Sequence, residues 1–135
     1  MEIVIMLEHS KAFSGIAVKD LAQAKQFYGD VLGLRVDEND MGMLVLRLGG
    51  GRSVLLYPKA DHQPATYTVL NFPVEQIDPV VRGLASRGVE FERYEGTPME
   101  TDATGVFRGG GPLIAWFTDP SGNVLSVIQG PGLDA

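Results

Sequence analysis

Asp20-Leu21-Ala22-Gln23-Ala24-Lys25-Gln26-Phe27-Tyr28-Gly29-Asp30-Val31-Leu32-Gly33-Leu34 is the stretch on which the fold turns. Leu21, Ala24, Phe27 or Tyr28, and Val31 or Leu32 recur at the spacing of one helix face. Asp20 stands where a carboxylate accepts from the free N–H groups of a first helical turn. Gly33 closes the run with a residue that tolerates a left-handed backbone. Upstream, residues 13–18 alternate like a strand. Downstream, Arg35-Val36 begins a short strand, and residues 43–48 and 53–57 give two more, split by Gly49-Gly50-Gly51. The unit reads strand–helix–strand–strand–strand.

The same order returns further along. Residues 66–72 read as a strand, and Asp78-Pro79 starts a helix with Pro79 at the first helical position, where its missing N–H costs nothing. Val80 or Val81, Leu84 and Ala85 supply its buried face, and Gly88 closes it. Residues 89–94 read as a strand, and 113–118 with 124–128 as a hairpin around Asp119-Pro120-Ser121-Gly122-Asn123. An offset of about 56 residues puts Val69 on Phe13 and Val74 on Val18. Two units, each with a helix over one sheet face, leave their other faces to meet around a cleft. The expected fold class is α+β: two βαβββ modules, about 13–58 and 66–129, forming an open barrel-like cleft in a single domain over 1–135. An apolar strand is expected over 2–7. Residues 59–65 and 95–112 read as loops, the second long enough for a lid or a binding loop.

A chain of 135 residues suits one core. With 44% hydrophobic and 21% charged residues it reads as an ordinary globular protein, and no apolar run approaches the length needed to cross a bilayer. The apolar opening is broken by Glu8 and His9, and it lacks the basic front and cleavage site of a signal peptide. Cysteine is absent, which removes disulfides, thiolate nucleophiles and thiolate metal ligands together. A cytoplasmic location is expected. The net charge of -6 opposes nucleic-acid binding, which wants clustered Lys and Arg. It reads either as plain solubility or as an acidic cleft that attracts a cationic ligand.

Two passages carry a resemblance. The Asp-Leu start and Phe-Tyr…Leu-Gly end of residues 20–34 resemble the first helix of the vicinal-oxygen-chelate superfamily, the glyoxalase, bleomycin-resistance and extradiol-dioxygenase group. Trp116-Phe117-Thr118-Asp119-Pro120-Ser121-Gly122-Asn123-Val124-Leu125 resembles its last hairpin, with the Asp-Pro-x-Gly-Asn turn. The resemblance spans roughly 13–129. It implies paired βαβββ modules, often completed by a dimer, and, in the metalloenzymes, four strand positions that hold a divalent Lewis acid through His, Gln or Glu. Carried onto this chain, the first position is Phe13, the third is Val69, and the fourth, normally Glu, is Ser126. The second falls among Val54, Leu55, Leu56, Tyr57 and Pro58. Phenylalanine and aliphatic side chains do not coordinate a divalent cation, and serine is a poor neutral ligand. The Glu that serves several of these enzymes as a base is also gone. No metal and no cofactor are expected.

The residues expected to line the cleft are Phe13, Arg47, Tyr57, His62, Val69, Asn71, Trp116 and Ser126. His62 could act as acid, base or donor over the cleft, although a solvated loop histidine is the plainer reading. His9 reads as structural or exposed. Trp116 reads equally as a stacking platform and as core. Arg47 could meet a carboxylate or phosphate, or simply reach solvent, and Asn71 could meet a ligand or satisfy a sheet edge. Glu100, Asp102 and Arg108 read as loop charges that could gate the cleft. The leading functional reading is a metal-independent binder of a small molecule, working as a homodimer, like the antibiotic-binding branch of the superfamily. The alternatives are a lyase, isomerase or dioxygenase-type enzyme with a non-standard active site, and a non-catalytic interaction protein whose cleft its own side chains fill.

Overall fold

A computed structural model of the chain describes residues 6–134. Strand β1 (Ser14–Val18) leads into helix α1 (Leu21–Lys25), which widens into a π-helical turn over Gln26–Val31. Strands β2 (Arg35–Glu38), β3 (Leu44–Arg47) and β4 (Ser53–Pro58) follow. The second half comprises β5 (Thr68–Val74), α2 (Ile77–Ser86), β6 (Ile114–Thr118) and β7 (Val124–Gln129). These strands form two small sheets, ordered β1-β4-β3-β2 and β5-β7-β6. The architecture is α+β, with two sheets around an open cleft.

The repeat is visible in the register. β1 runs parallel to β4 and β5 runs parallel to β7, while the remaining pairs are antiparallel. Val18 lies opposite Pro58 and Val74 opposite Gln129, so the pair Gly15–Leu55 corresponds to Asn71–Ser126. Side chains alternate across each strand. Ile16, Val18, Leu44, Leu46, Val54 and Leu56 turn to one face of the first sheet, and Ala115, Phe117, Leu125 and Val127 to one face of the second. Together with Ala24, Tyr28, Ile77 and Val81 from the helices they make one core. The opposite strand faces are left for the cleft.

Asp20 caps α1 as its sequence implies, its Oδ1 accepting from Gln23 N at 3.0 Å. Gly33 and Gly88 end the two helical segments with φ of 77° and 93°. The sequence left Phe27 and Tyr28 as alternatives for the buried face; the π-helical turn brings both inward. Leu32 N donates to Phe27 O and Leu34 N to Tyr28 O, Tyr28 is fully buried, and Phe27 packs against Phe117.

Two expectations need correction. Helix α2 begins at Ile77, so Pro79 sits third in the first turn and not first. Its nitrogen still faces no intrahelical acceptor there. The start is held instead by Ile77 N donating to Gln129 Oε1 at 3.0 Å. Residues 89–94 form no regular strand. Val89 and Phe91 do turn inward, which produced the strand-like alternation, and Glu92 N reaches Trp116 O at 2.8 Å. The Glu92 and Arg93 carbonyls, however, are taken by Thr101 from the following loop, and the ladder goes no further. Of the expected strand over 2–7, residues 2–5 lie outside the described residues, and Met6 and Leu7 are exposed and belong to no strand.

Candidate functional site

The hairpin turn after β6 does more than reverse the chain. Asp119 is buried and folds its Oδ1 over the turn, accepting from Ser121 N at 2.8 Å and Asn123 N at 2.9 Å. Its Oδ2 accepts from the Tyr28 hydroxyl at 2.8 Å and from Asn123 Nδ2 at 2.8 Å. Asn123 Nδ2 also donates to Ala17 O in β1, and Asn123 Oδ1 lies 3.0 Å from His62 Nε2. Ser121 Oγ accepts from Lys19 N. A turn of the second half is thus bonded to the helix, the first strand and the inter-half loop of the first half. Burial, and then the Asp119 carboxylate, push the Tyr28 phenol far above its ordinary range.

Beside this network lies a broad, largely open cavity of about 430 Å³ lined from both halves. Gly15 and Ala17 of β1, Tyr57 of β4, Val69 of β5, Asn123 and the loop residues Lys59, Asp61, His62, Gln63 and Ala65 line it. The loop comes back over the sheet because His62 N donates to Lys59 O, and because the imidazole is tied down by Asn123. His62 is therefore buried at 8% exposure and is not the solvated side chain that its loop position suggested. At the mouth, Lys59 Nζ lies 2.7 Å from Asp61 Oδ1, so the two charges offset one another.

Of the eight residues expected in the cleft, Tyr57, His62 and Val69 meet in this cavity. The other five lie elsewhere. Phe13 precedes β1 and is 68% exposed. Arg47 turns to its own sheet, donating to Asp37 Oδ2 at 2.9 Å and to Ser53 Oγ. The hydrogen bond from Arg47, helped by Arg35, holds the Asp37 carboxyl below its ordinary range. Asn71 is exposed, and its Oδ1 accepts from Ser126 Oγ. Ser126 itself is fully buried.

Trp116, paired in register with Ser126, is covered by the 95–112 loop. Tyr94 stands edge-on at a ring-centroid distance of 5.4 Å and Phe107 lies at 6.0 Å. Asp102 organises that loop, accepting from Thr104 N and Oγ1, from Val106 N and from Arg108 Nε, while Arg108 also reaches Asp78 of α2. Burial alone would raise the Asp102 carboxyl; the bonds from Thr104, Arg108 and Val106 outweigh it and hold the group well below the usual carboxylate range. The cleft face of the second sheet is closed here by the protein's own aromatic rings.

The positions that would hold a divalent ion do not fit one. The register equates Ser126 with Leu55 across the two halves, which leaves Phe13, Leu55, Val69 and Ser126 as the set. Among the described residues, no three His, Cys, Asp or Glu side chains gather in a way that could hold a metal ion. Nor is any helix among them long and apolar enough to cross a membrane.

Sequence comparison agrees with this architecture. The family model for the glyoxalase/bleomycin resistance protein/dioxygenase superfamily matches residues 7–127. The chain belongs to that superfamily. Solved structures share the fold at low identity. A putative glyoxalase family protein from Bacillus anthracis is 17% identical, with 96% of this chain and 98% of that one covered and a TM-score of 0.63. The genomically encoded fosfomycin resistance protein FosX from Listeria monocytogenes is 15% identical over 90% and 93% of the two chains, at 0.66. The antibiotic binding protein TnmS3 from Streptomyces sp. CB03234 is 22% identical over 90% and 97%, at 0.61. No curated protein sequence matches the chain.

Tyr28, Asp119 and Asn123 were not singled out as a site from sequence. Tyr28 read as core, and Asp119 and Asn123 as turn formers. Only their burial and mutual bonding reveal that this superfamily member uses the turn as a clamp across its two halves.

Proposed function

We propose that the protein binds a small organic molecule, without a metal ion, in the cavity beside His62. One observation carries this reading: a cavity of about 430 Å³ whose lining combines Tyr57, Val69, Ala65 and Ala17 with a buried, anchored imidazole. Ligand sites of this size commonly combine apolar lining with a few fixed polar groups. The unfit metal positions favour recognition by shape and hydrogen bonding. The neighbours named for antibiotic binding and fosfomycin resistance make antibiotics the first class to try.

The test is a thermal-shift panel of small molecules with and without a chelator. A ligand that binds only the native state stabilises it by RT ln(1 + L/Kd), where L is the free ligand concentration, so the midpoint keeps rising with ligand concentration. The reading predicts stabilisation that survives chelation. A panel that stabilises only in the presence of added divalent ions would overturn it.

A second reading, an enzyme whose chemistry has moved off the former metal positions, is favoured by the same His62, because it is a polar group converging on the cavity. Turnover of a panel hit, lost in His62→Ala, would select it. A cytoplasmic homodimer also belongs to the proposal. Exposed Phe13 and Tyr67, at 68% and 71%, support association, and light scattering in solution tests it.

A further inference from the structure

His62 has one ring nitrogen already committed. Asn123 Nδ2 sits 2.9 Å from Ala17 O and 2.8 Å from Asp119 Oδ2. Asp119 Oδ2 accepts from the Tyr28 hydroxyl as well, so both atoms around Nδ2 are acceptors. An amide oxygen in that place would face two other oxygens. The amide orientation is therefore fixed, and Oδ1 is the atom turned to His62. An amide oxygen only accepts, so His62 Nε2 must carry the hydrogen of this 3.0 Å contact. In the neutral ring that leaves Nδ1 as a bare lone pair.

Nδ1 has no partner among the described residues. No side-chain nitrogen or oxygen among them is both fully sealed and unpartnered. The small residual exposure of His62 must therefore include Nδ1, and His62 lines the cavity. The same cavity is lined by Tyr57, Val69, Ala65 and Ala17, which supply its apolar surface. Gly15 lacks a side chain, and a Cβ there would stand 3.3 Å from Tyr57 Cε1, so the phenol ring lies against the strand. Lys59 and Asp61 offset each other at the mouth, which leaves little net charge to attract an anion.

We propose that this cavity selects molecules that present an O–H or N–H group to His62 Nδ1 while resting an apolar ring on Tyr57. The inference rests on the binding function proposed above. The clamp of Tyr28, Asp119 and Asn123 determines which ring nitrogen is free, and so determines the polarity of the ligand group that is accepted. A ligand that offers only acceptors meets a lone pair and loses the bond.

The test has two arms. In the ligand-free protein, nitrogen NMR of labelled histidine in mildly alkaline buffer reads the tautomer directly. Protonated Nε2 and bare Nδ1 are expected for His62; the reverse tautomer overturns the proposal. In the second arm, naphthol and methoxynaphthalene are titrated against the wild-type protein. They share a ring system and differ in the donor. Naphthol is expected to bind at least about tenfold more tightly and to shift the His62 Nδ1 resonance. Equal affinity, or binding that leaves that resonance unmoved, overturns the proposal. If neither probe binds while other panel members do, the ligand class is wrong and the binding function stands. If the tautomer is as expected and no panel member binds, it is the binding function that fails, and the proposal falls with it.

Discussion

The Tyr28 hydroxyl donates to Asp119 Oδ2 at 2.8 Å across 91 positions of sequence, joining the helical segment of one half to the hairpin turn of the other. Both side chains are buried. The bond is one link in the chain of contacts that ends at His62, so the stability of the fold and the orientation of the candidate ligand site share a cause.

Tyr28→Phe removes the donor and leaves the carboxylate buried with one fewer partner. A loss of about 1–3 kcal/mol is expected, read as a lower urea midpoint with an unchanged slope. The pH dependence has a definite sign. The folded phenol titrates above the ordinary value of 10.0, so its contribution is fully present below pH 10.0 and is lost as the pH rises beyond it, when the unfolded chain ionises first. Wild-type stability should fall more steeply above that pH than the stability of the variant.

Asn123→Ala opens the network at its centre. It strands Asp119, the Ala17 carbonyl and His62 together, and about 2–4 kcal/mol is expected to be lost. Because His62 depends on the same residue, the double variant with His62→Ala should cost less than the sum of the single changes. Additive losses in chemical denaturation would show that the 3.0 Å contact is not energetically coupled.

Asp102 gives the loop over Trp116 an acid response. Its carboxyl is held below the ordinary 3.8, so its stabilising contribution is present above that pH and is lost as the pH falls toward the folded value. The side chain is 36% exposed, so solvent screening keeps the effect small, below about 1 kcal/mol. Trp116 is the only tryptophan and reports the loop directly. Its emission should shift to the red in strongly acidic buffer, and Asp102→Asn should show part of that shift at neutral pH.

Gly105→Ala tests the packing of the same loop. Gly105 has φ of 97°, and an added Cβ would stand 2.5 Å from Phe91 Cβ, an atom with little freedom to move. A loss of about 2 kcal/mol or more is expected from backbone strain and overlap together, seen as a lower thermal midpoint. Gly49→Ala, which meets nothing within 4 Å, should be far milder.

Much of the fold was legible in local pattern. The Asp20 cap, the glycines that end both helices and the strand alternation each follow from a few neighbouring residues, and the second half repeats the order of the first except for the strand expected over 89–94. The segment 89–94 misled because alternation reports burial, while a strand also needs a free ladder; Thr101 occupies that ladder from eight or nine residues away, and no local pattern encodes it. The site was harder for the same reason. Phe13 and Val69 share a register position, yet one is exposed before its strand and the other lines the cavity. His62 looked like a solvated loop residue because its partner, Asn123, is distant in sequence and looked like a turn former.

The central claim is that the cavity walled by Tyr57, Val69 and His62 recognises an organic molecule without a metal. Calorimetric titration of a panel hit into the wild-type protein and into Val69→Trp, each before and after exhaustive chelation, tests it most directly. The predicted result is an affinity untouched by chelation and weakened at least about tenfold when the indole fills the cavity. Binding abolished by chelation, or undiminished in Val69→Trp, contradicts it.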